Sequence, residues 1–184
     1  MTLVTSPFRT AFDGVLSPSV EVNGRTVLAM SRGFGAFQSV ADLIMREEGL
    51  PLVTPDGWYS ASRWVAAFRR IQRDIGPETL TIIGQQIPDA ADFPPAIDCA
   101  QKALAAIDVA YHLNHRGGEI GIYGYAATGE RSADVHCENP YPCAFDGGLV
   151  LEMARRFEPS AFLVHDPASC RDWGGKHCLF HVSW

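Results

Sequence analysis

Residues 131–184 read RSADVHCENPYPCAFDGGLVLEMARRFEPSAFLVHDPASCRDWGGKHCLFHVSW. The pattern is strand, helix, strand, strand, with cysteines at the joints. Cys137 closes an alternating strand (Arg131–Cys137), and Cys143 opens a helix (Phe145–Phe157) after the loop Glu138-Asn139-Pro140-Tyr141-Pro142. Cys170 follows the next strand (Ala161–His165), and Cys178 begins the last (Cys178–Trp184). Along the chain direction all four thiols arrive at one end of a sheet covered by a helix. Period-two alternation sets Cys178 with Phe180, Val182 and Trp184, and Cys137 with Ala133 and Val135, on the face the helix covers.

Four thiols from rigid elements converging on one point suit a closed tetrahedral zinc site. Ordinary buried thiols and one or two disulfides are the alternatives, since free cysteine packs as a small hydrophobe. His165 and Asp166, just before the Cys170 turn, are substitute ligands. His136 and His181 point away from their neighbouring cysteines, and His177 is placed for an outer contact. Cys143, at a helix N-terminus that lowers its pKa, would also serve as a nucleophile.

Working outward, Glu119–Tyr125 is a further strand with Thr128-Gly129-Glu130 as its turn, which completes an antiparallel ββαββ sheet. Gly121 and Gly124 leave room on it, for a ligand or for close packing. The preceding stretch has the clearest helical stripe: Ile97, Ala100, Leu104, Ile107 and Tyr111, spaced 3, 4, 3, 4, after Pro94-Pro95 and before Gly117-Gly118. His112 and His115 close it. Upstream, Phe37–Glu48, a Ser60-capped helix carrying Trp64, Phe68, Ile71 and Ile75, and Glu78–Ile87 read as helices. Asn23-Gly24 between short apolar runs signals a hairpin, and residues 1–24 form an N-terminal arm. The fold class is therefore α/β (α+β): a helical N-terminal part, then the ββαββ sheet with a cysteine cluster at one end. A pocket between the layers would be lined by Trp64, Phe68, Tyr111, His112, Tyr123 and Tyr125, and would suit a small apolar or aromatic molecule. A solid core is the alternative.

The 184 residues fit one domain spanning 1–184. With 15 Lys+Arg against 21 Asp+Glu and a formal charge of −6, a nucleic-acid surface is not expected. No apolar run reaches the ~18–20 residues of a membrane span. The first residues lack a basic-then-apolar leader, so the expected location is the cytoplasm, where thiols stay reduced. No Gly-x-Ser-x-Gly, P-loop, dinucleotide fingerprint or His-Glu-x-x-His occurs.

The helix opened by cysteine, the strand, and Cys170-Arg-Asp-Trp-Gly-Gly-Lys-His-Cys178-Leu-Phe-His-Val resemble the 4-vinyl reductase (V4R) domain. The same fold superfamily includes aromatic-sensing domains of phenol-responsive regulators, haem nitric-oxide-binding domains and trafficking-complex subunits. The resemblance implies a structural Zn2+ held by Cys143, Cys170 and Cys178. The position of the phenol sensors' glutamate holds Pro167, so the fourth ligand is Cys137, His165 or Asp166, with Cys137 favoured by geometry. The Tyr-x-Ser-x-Arg motif and proximal helical histidine of the haem branch are not found. The implied function is a zinc-stabilised sensor of a small apolar or aromatic molecule, acting as a homodimer or through a regulatory protein partner. The alternatives are an enzyme of the 4-vinyl reductase type, a metal- or thiol-dependent enzyme, and a protein-interaction subunit.

Overall fold

The computed structural model describes residues 14–184, so residues 1–13 of the expected arm lie outside the described part. The fold is α+β: six helices and two antiparallel sheets among the described residues, with the helices concentrated in the first two thirds.

A small sheet, in the order β2-β1-β3, is made by β1 (Glu21–Asn23), β2 (Trp58–Ser60) and β3 (His115–Arg116). Asn23-Gly24 is not a hairpin turn. Asn23 caps α1 (Gly24–Gly33), its side chain accepting from the Arg25 amide at 2.8 Å. Asparagine serves both N-caps and tight turns, and here the cap wins because α1 buries Thr26, Val27, Ala29 and Met30. Gly24 is required: a Cβ there would stand 2.0 Å from the Thr54 carbonyl oxygen.

α2 (Gln38–Glu47) and α3 (Ala61–Asp74) fall where the stripes put them, with Ser60 capping α3. α3 buries Trp64, Phe68 and Ile71. α4 (Pro77–Ala90) runs beyond the expected segment and carries Pro88 inside it. α5 (Ala100–Leu113) starts later than its stripe suggested: residues 91–99 form a loop in which Ala96 adopts a positive φ of 68°. Pro94 restricts Phe93, and Pro95 restricts Pro94, to extended backbone, so the prolines lengthen the loop and do not open the helix.

The larger sheet has the order β4-β5-β7-β6, all antiparallel: β4 (Ile122–Gly129), β5 (Ser132–Glu138), β6 (Phe162–His165) and β7 (Cys178–Ser183). α6 (Cys143–Arg155) covers the face that carries Ala133, Val135, Phe180 and Val182. Gly124 pairs with His136, on the face opposite Tyr123, so it leaves no notch beside that ring.

Candidate functional site

Three features meet between α6, the large sheet and α5: a thiol–imidazole cluster, a buried ion pair and a narrow apolar cavity.

The cluster comprises Cys143 at the start of α6, His165 at the end of β6, Cys170 in the following turn and Cys178 at the start of β7. One ligand atom from each lies within 4.8 Å of the others. Antiparallel pairing of β6 with β7 brings His165 and Cys178 to one end of the sheet, and α6 begins at that same end. The Cys143 and Cys170 sulfurs are 3.3 Å apart. A hydrogen bond from Cys143 depresses Cys178 to about 5 against the opposing effect of burial, and the same bond, aided by burial, pushes Cys143 up. The His165 ring stacks on Phe180 with centroids 4.7 Å apart. A groove of about 390 Å3, lined by Cys143, His165, Cys170, Trp173 and Phe180 among others, opens beside the cluster. Thiolate and imidazole are donor types that soft metal ions take.

Next to the cluster, Asp146 in the first turn of α6 is completely buried. Its carboxylate meets Arg171 Nη2 and accepts from the Tyr123 hydroxyl at 2.5 Å. Arg171 also donates to the Asn139 carbonyl, to Asn139 Oδ1 at 2.8 Å and to the Tyr141 carbonyl at 2.9 Å. Burial pushes Asp146 up to about 6, although Arg171 and Tyr123 pull it down. The guanidinium therefore ties the 138–142 loop to the helix that starts at Cys143.

Beyond Tyr123 lies the cavity, of about 30 Å3, bounded by residues of α1, α4, the 91–99 loop, α5, β4 and α6. Ile107, Ala110, Tyr111, Tyr123, Phe145 and Leu149 form most of its apolar wall. Its polar lining groups are partnered within the protein. Tyr111 donates to the Ile120 carbonyl at 2.5 Å, His115 bonds the Tyr111 carbonyl at 2.7 Å, and its other nitrogen bonds the Tyr141 hydroxyl at 2.6 Å. Burial lowers His115 to about 4, so the ring is neutral. Asn114 donates to Ala110 and Asp92 carbonyls at 2.8 Å each and accepts from the Asp92 amide at 3.1 Å. Asn114 thereby latches the loop that supplies Ala91 and Phe93 to the cavity.

Of the six residues expected around a ligand, Tyr111 and Tyr123 line this cavity. Trp64 and Phe68 are fully buried behind it, Phe68 packing on Phe145 and Tyr141 with ring centroids 4.7 and 5.7 Å apart. Tyr125 is half-buried further along β4, and His112 is exposed, bonded to the Asp108 carbonyl. Of the expected ligand set, Cys143, Cys170 and Cys178 come together with His165, while Cys137 and Asp166 are not among the grouped donors. Cys137 sits opposite Tyr123 and Cys178 in the sheet register, and burial raises its thiol. Asp166 caps the next turn through the Ala168 amide at 2.9 Å. Sequence reading missed Asp146, Arg171, Asn114 and Tyr141 as site residues. An acid in a first helical turn reads as a solvated partner of the helix dipole, which hid Asp146.

No protein-family model and no curated protein matches this sequence. Solved structures do match in fold. An H-NOX protein from S. oneidensis in the Fe(II)NO ligation state is 13% identical, with 88% of this chain and 98% of that chain covered at a TM-score of 0.67. The unliganded Fe(II) H-NOX protein from K. algicida is 14% identical, covering 88% and 95%, at 0.58. The IWP-051-bound H-NOX from Shewanella woodyi in the Fe(II)CO state is 14% identical, covering 87% and 93%, at 0.56.

These neighbours overturn the expected 4-vinyl reductase domain: the short Cys-x7-Cys closing motif is compatible with more than one branch of the fold, whereas 88% of the chain follows the H-NOX path. They overturn the structural zinc as well. The ion their descriptions print is Fe(II), and Cys143, Cys170 and Cys178 group here with the substitute donor His165, with Cys137 outside the group. At this level of identity the likeness is one of fold, and the chain has the H-NOX fold.

Proposed function

We propose that this chain is a single-domain small-molecule sensor, with its ligand bound in the cavity between α4, α5, α6 and β4. The observation that carries the reading is a cavity of about 30 Å3 whose polar lining groups are partnered within the protein, leaving apolar surface for a guest. A volume of this size accommodates one or two waters or a molecule of a few heavy atoms. An apolar site without free donors favours a small uncharged molecule over water. A bound guest would press on Tyr111 and Tyr123. Tyr123 connects through Asp146 and Arg171 to the Cys170 turn, which gives the domain a route to its surface. The signal would pass to a regulatory partner or to a second copy of the chain.

The test is a thermal-shift series with xenon, ethylene and benzene on the purified protein. Ligands that bind the native state alone raise Tm by mass action. The expected result is a dose-dependent rise with the smallest guests that disappears in Ala110→Leu, whose added side chain fills the cavity. Equal behaviour of wild type and variant would refute the site.

A further inference from the structure

Haem is the group that the H-NOX fold implies, and the cavity between α4, α5, α6 and β4 does not fit it. A ligand pocket for a molecule of drug size or larger spans about 300–1,000 Å3, against a cavity of about 30 Å3 here. The space is filled by this chain's own rings: Tyr111 lies 5.1 Å from Tyr123 and 6.0 Å from Tyr141, and Tyr141 lies 5.1 Å from Phe145, centroid to centroid.

The walls are also held close. α4 and α6 pack backbone to backbone through two glycines. A Cβ on Gly84 would be 2.2 Å from the Phe145 carbonyl oxygen, and one on Gly148 would be 2.1 Å from that of Thr81. A porphyrin plane needs about 3.5 Å to the atoms on each face, so its entry beside Phe145 and Leu149 would separate this pair.

The donor chemistry disagrees too. Iron in haem takes an axial histidine, cysteine, methionine or tyrosinate. Among the described lining residues the histidine is His115, and both its nitrogens are engaged. The three lining tyrosines, 111, 123 and 141, are hydrogen-bonded, and burial opposes their ionisation. Among the described residues no arginine or lysine lines the cavity to meet the two propionates.

We infer that this chain is a haem-excluding version of the H-NOX fold, in which Tyr111, Tyr123, Tyr141 and Phe145 occupy the cofactor space and leave room only for a small uncharged guest. The inference rests on the sensor reading for its ligand class, but the exclusion of haem stands apart from it.

The experiment is a titration of the purified full chain with haemin, followed by reduction and addition of CO, with the Soret band recorded throughout. The expected result is a broad band that grows without saturation and gives no protein-specific CO complex. A saturable one-to-one complex with a sharp Soret band that moves on CO addition would overturn the exclusion. Such haem uptake would leave a sensor with a different ligand. Failure of every small apolar guest to shift Tm would remove the sensor reading and leave the exclusion of haem intact.

Discussion

Replacing Arg171 by methionine removes the counter-charge of a carboxylate that has no access to water. Arg171 makes four hydrogen bonds, to the Asn139 carbonyl, Asn139 Oδ1, the Tyr141 carbonyl and Asp146. Without them Asp146 keeps Tyr123 at 2.5 Å and a long contact from Asn139 at 3.5 Å. Breaking one side of a buried ion pair costs about 3–5 kcal/mol. The cost depends on pH, and its sign follows from the carboxyl group. Burial raises Asp146 from 3.8 to about 6 in the folded protein. Its contribution to stability is therefore complete below 3.8 and is lost as pH rises through about 6. At ~1.36 kcal/mol per unit, that loss is about 3 kcal/mol in the native protein. With Arg171 gone, the folded value rises further and the loss continues to higher pH. Near pH 5 the acid is protonated with or without the arginine, and the variant loses the guanidinium's hydrogen bonds to neutral acceptors without stranding a charge, about 1.5–3 kcal/mol. Near pH 8 the full ~3–5 kcal/mol appears. Urea unfolding followed by circular dichroism at both pH values measures the difference. A cost below ~1 kcal/mol near pH 8, or the same cost at both values, would refute the reasoning.

Other outcomes follow from single contacts. Asn114→Ala frees the 91–99 loop from its bonds to Asp92 and should cost about 1–3 kcal/mol, with faster amide exchange in that loop by mass spectrometry. Gly148→Ala drives a methyl group into the Thr81 carbonyl and should lower Tm by roughly 2–12 °C in a melting curve, as ~1–3 kcal/mol of overpacking does in a protein of this size. Cys99, half-exposed and outside the thiol cluster, should alkylate before the other four in a timed iodoacetamide reaction, and Cys99→Ser should change stability by less than ~1 kcal/mol.

The parts of the fold visible in the sequence are those set by periodicity. The 3, 4, 3, 4 stripe of α5 buries Leu104, Ile107 and Tyr111, and the alternation in β7 buries Cys178, Phe180 and Val182. Errors arose where one residue type serves two local structures. Asn23-Gly24 fits a hairpin as well as a cap, and Pro94-Pro95 fits a helix start as well as an extended loop. Within the site, the thiols announced themselves by spacing and His165 by its place before the Cys170 turn, but that His165 rather than Cys137 completes the group depends on β6–β7 pairing, a long-range contact. Trp64 and Phe68 belong to the same aromatic set as Tyr111 and Tyr123, and which rings line a space depends on the packing of α4 against α6 through Gly84 and Gly148. Asp146 and Arg171 look like surface charges in a linear reading, because burial of a charge is tolerated only with a partner that the chain supplies 25 residues away.

The central claim, a small apolar guest site enclosed by α4, α5, α6 and β4, is tested most directly by amide NMR spectra of the protein under increasing xenon pressure. The account predicts saturable shifts confined to residues around Ile107, Ala110, Tyr111, Tyr123 and Leu149, and their loss in Ala110→Leu. Shifts absent there, or concentrated instead in the groove at Cys143, Cys170 and Trp173, would contradict it.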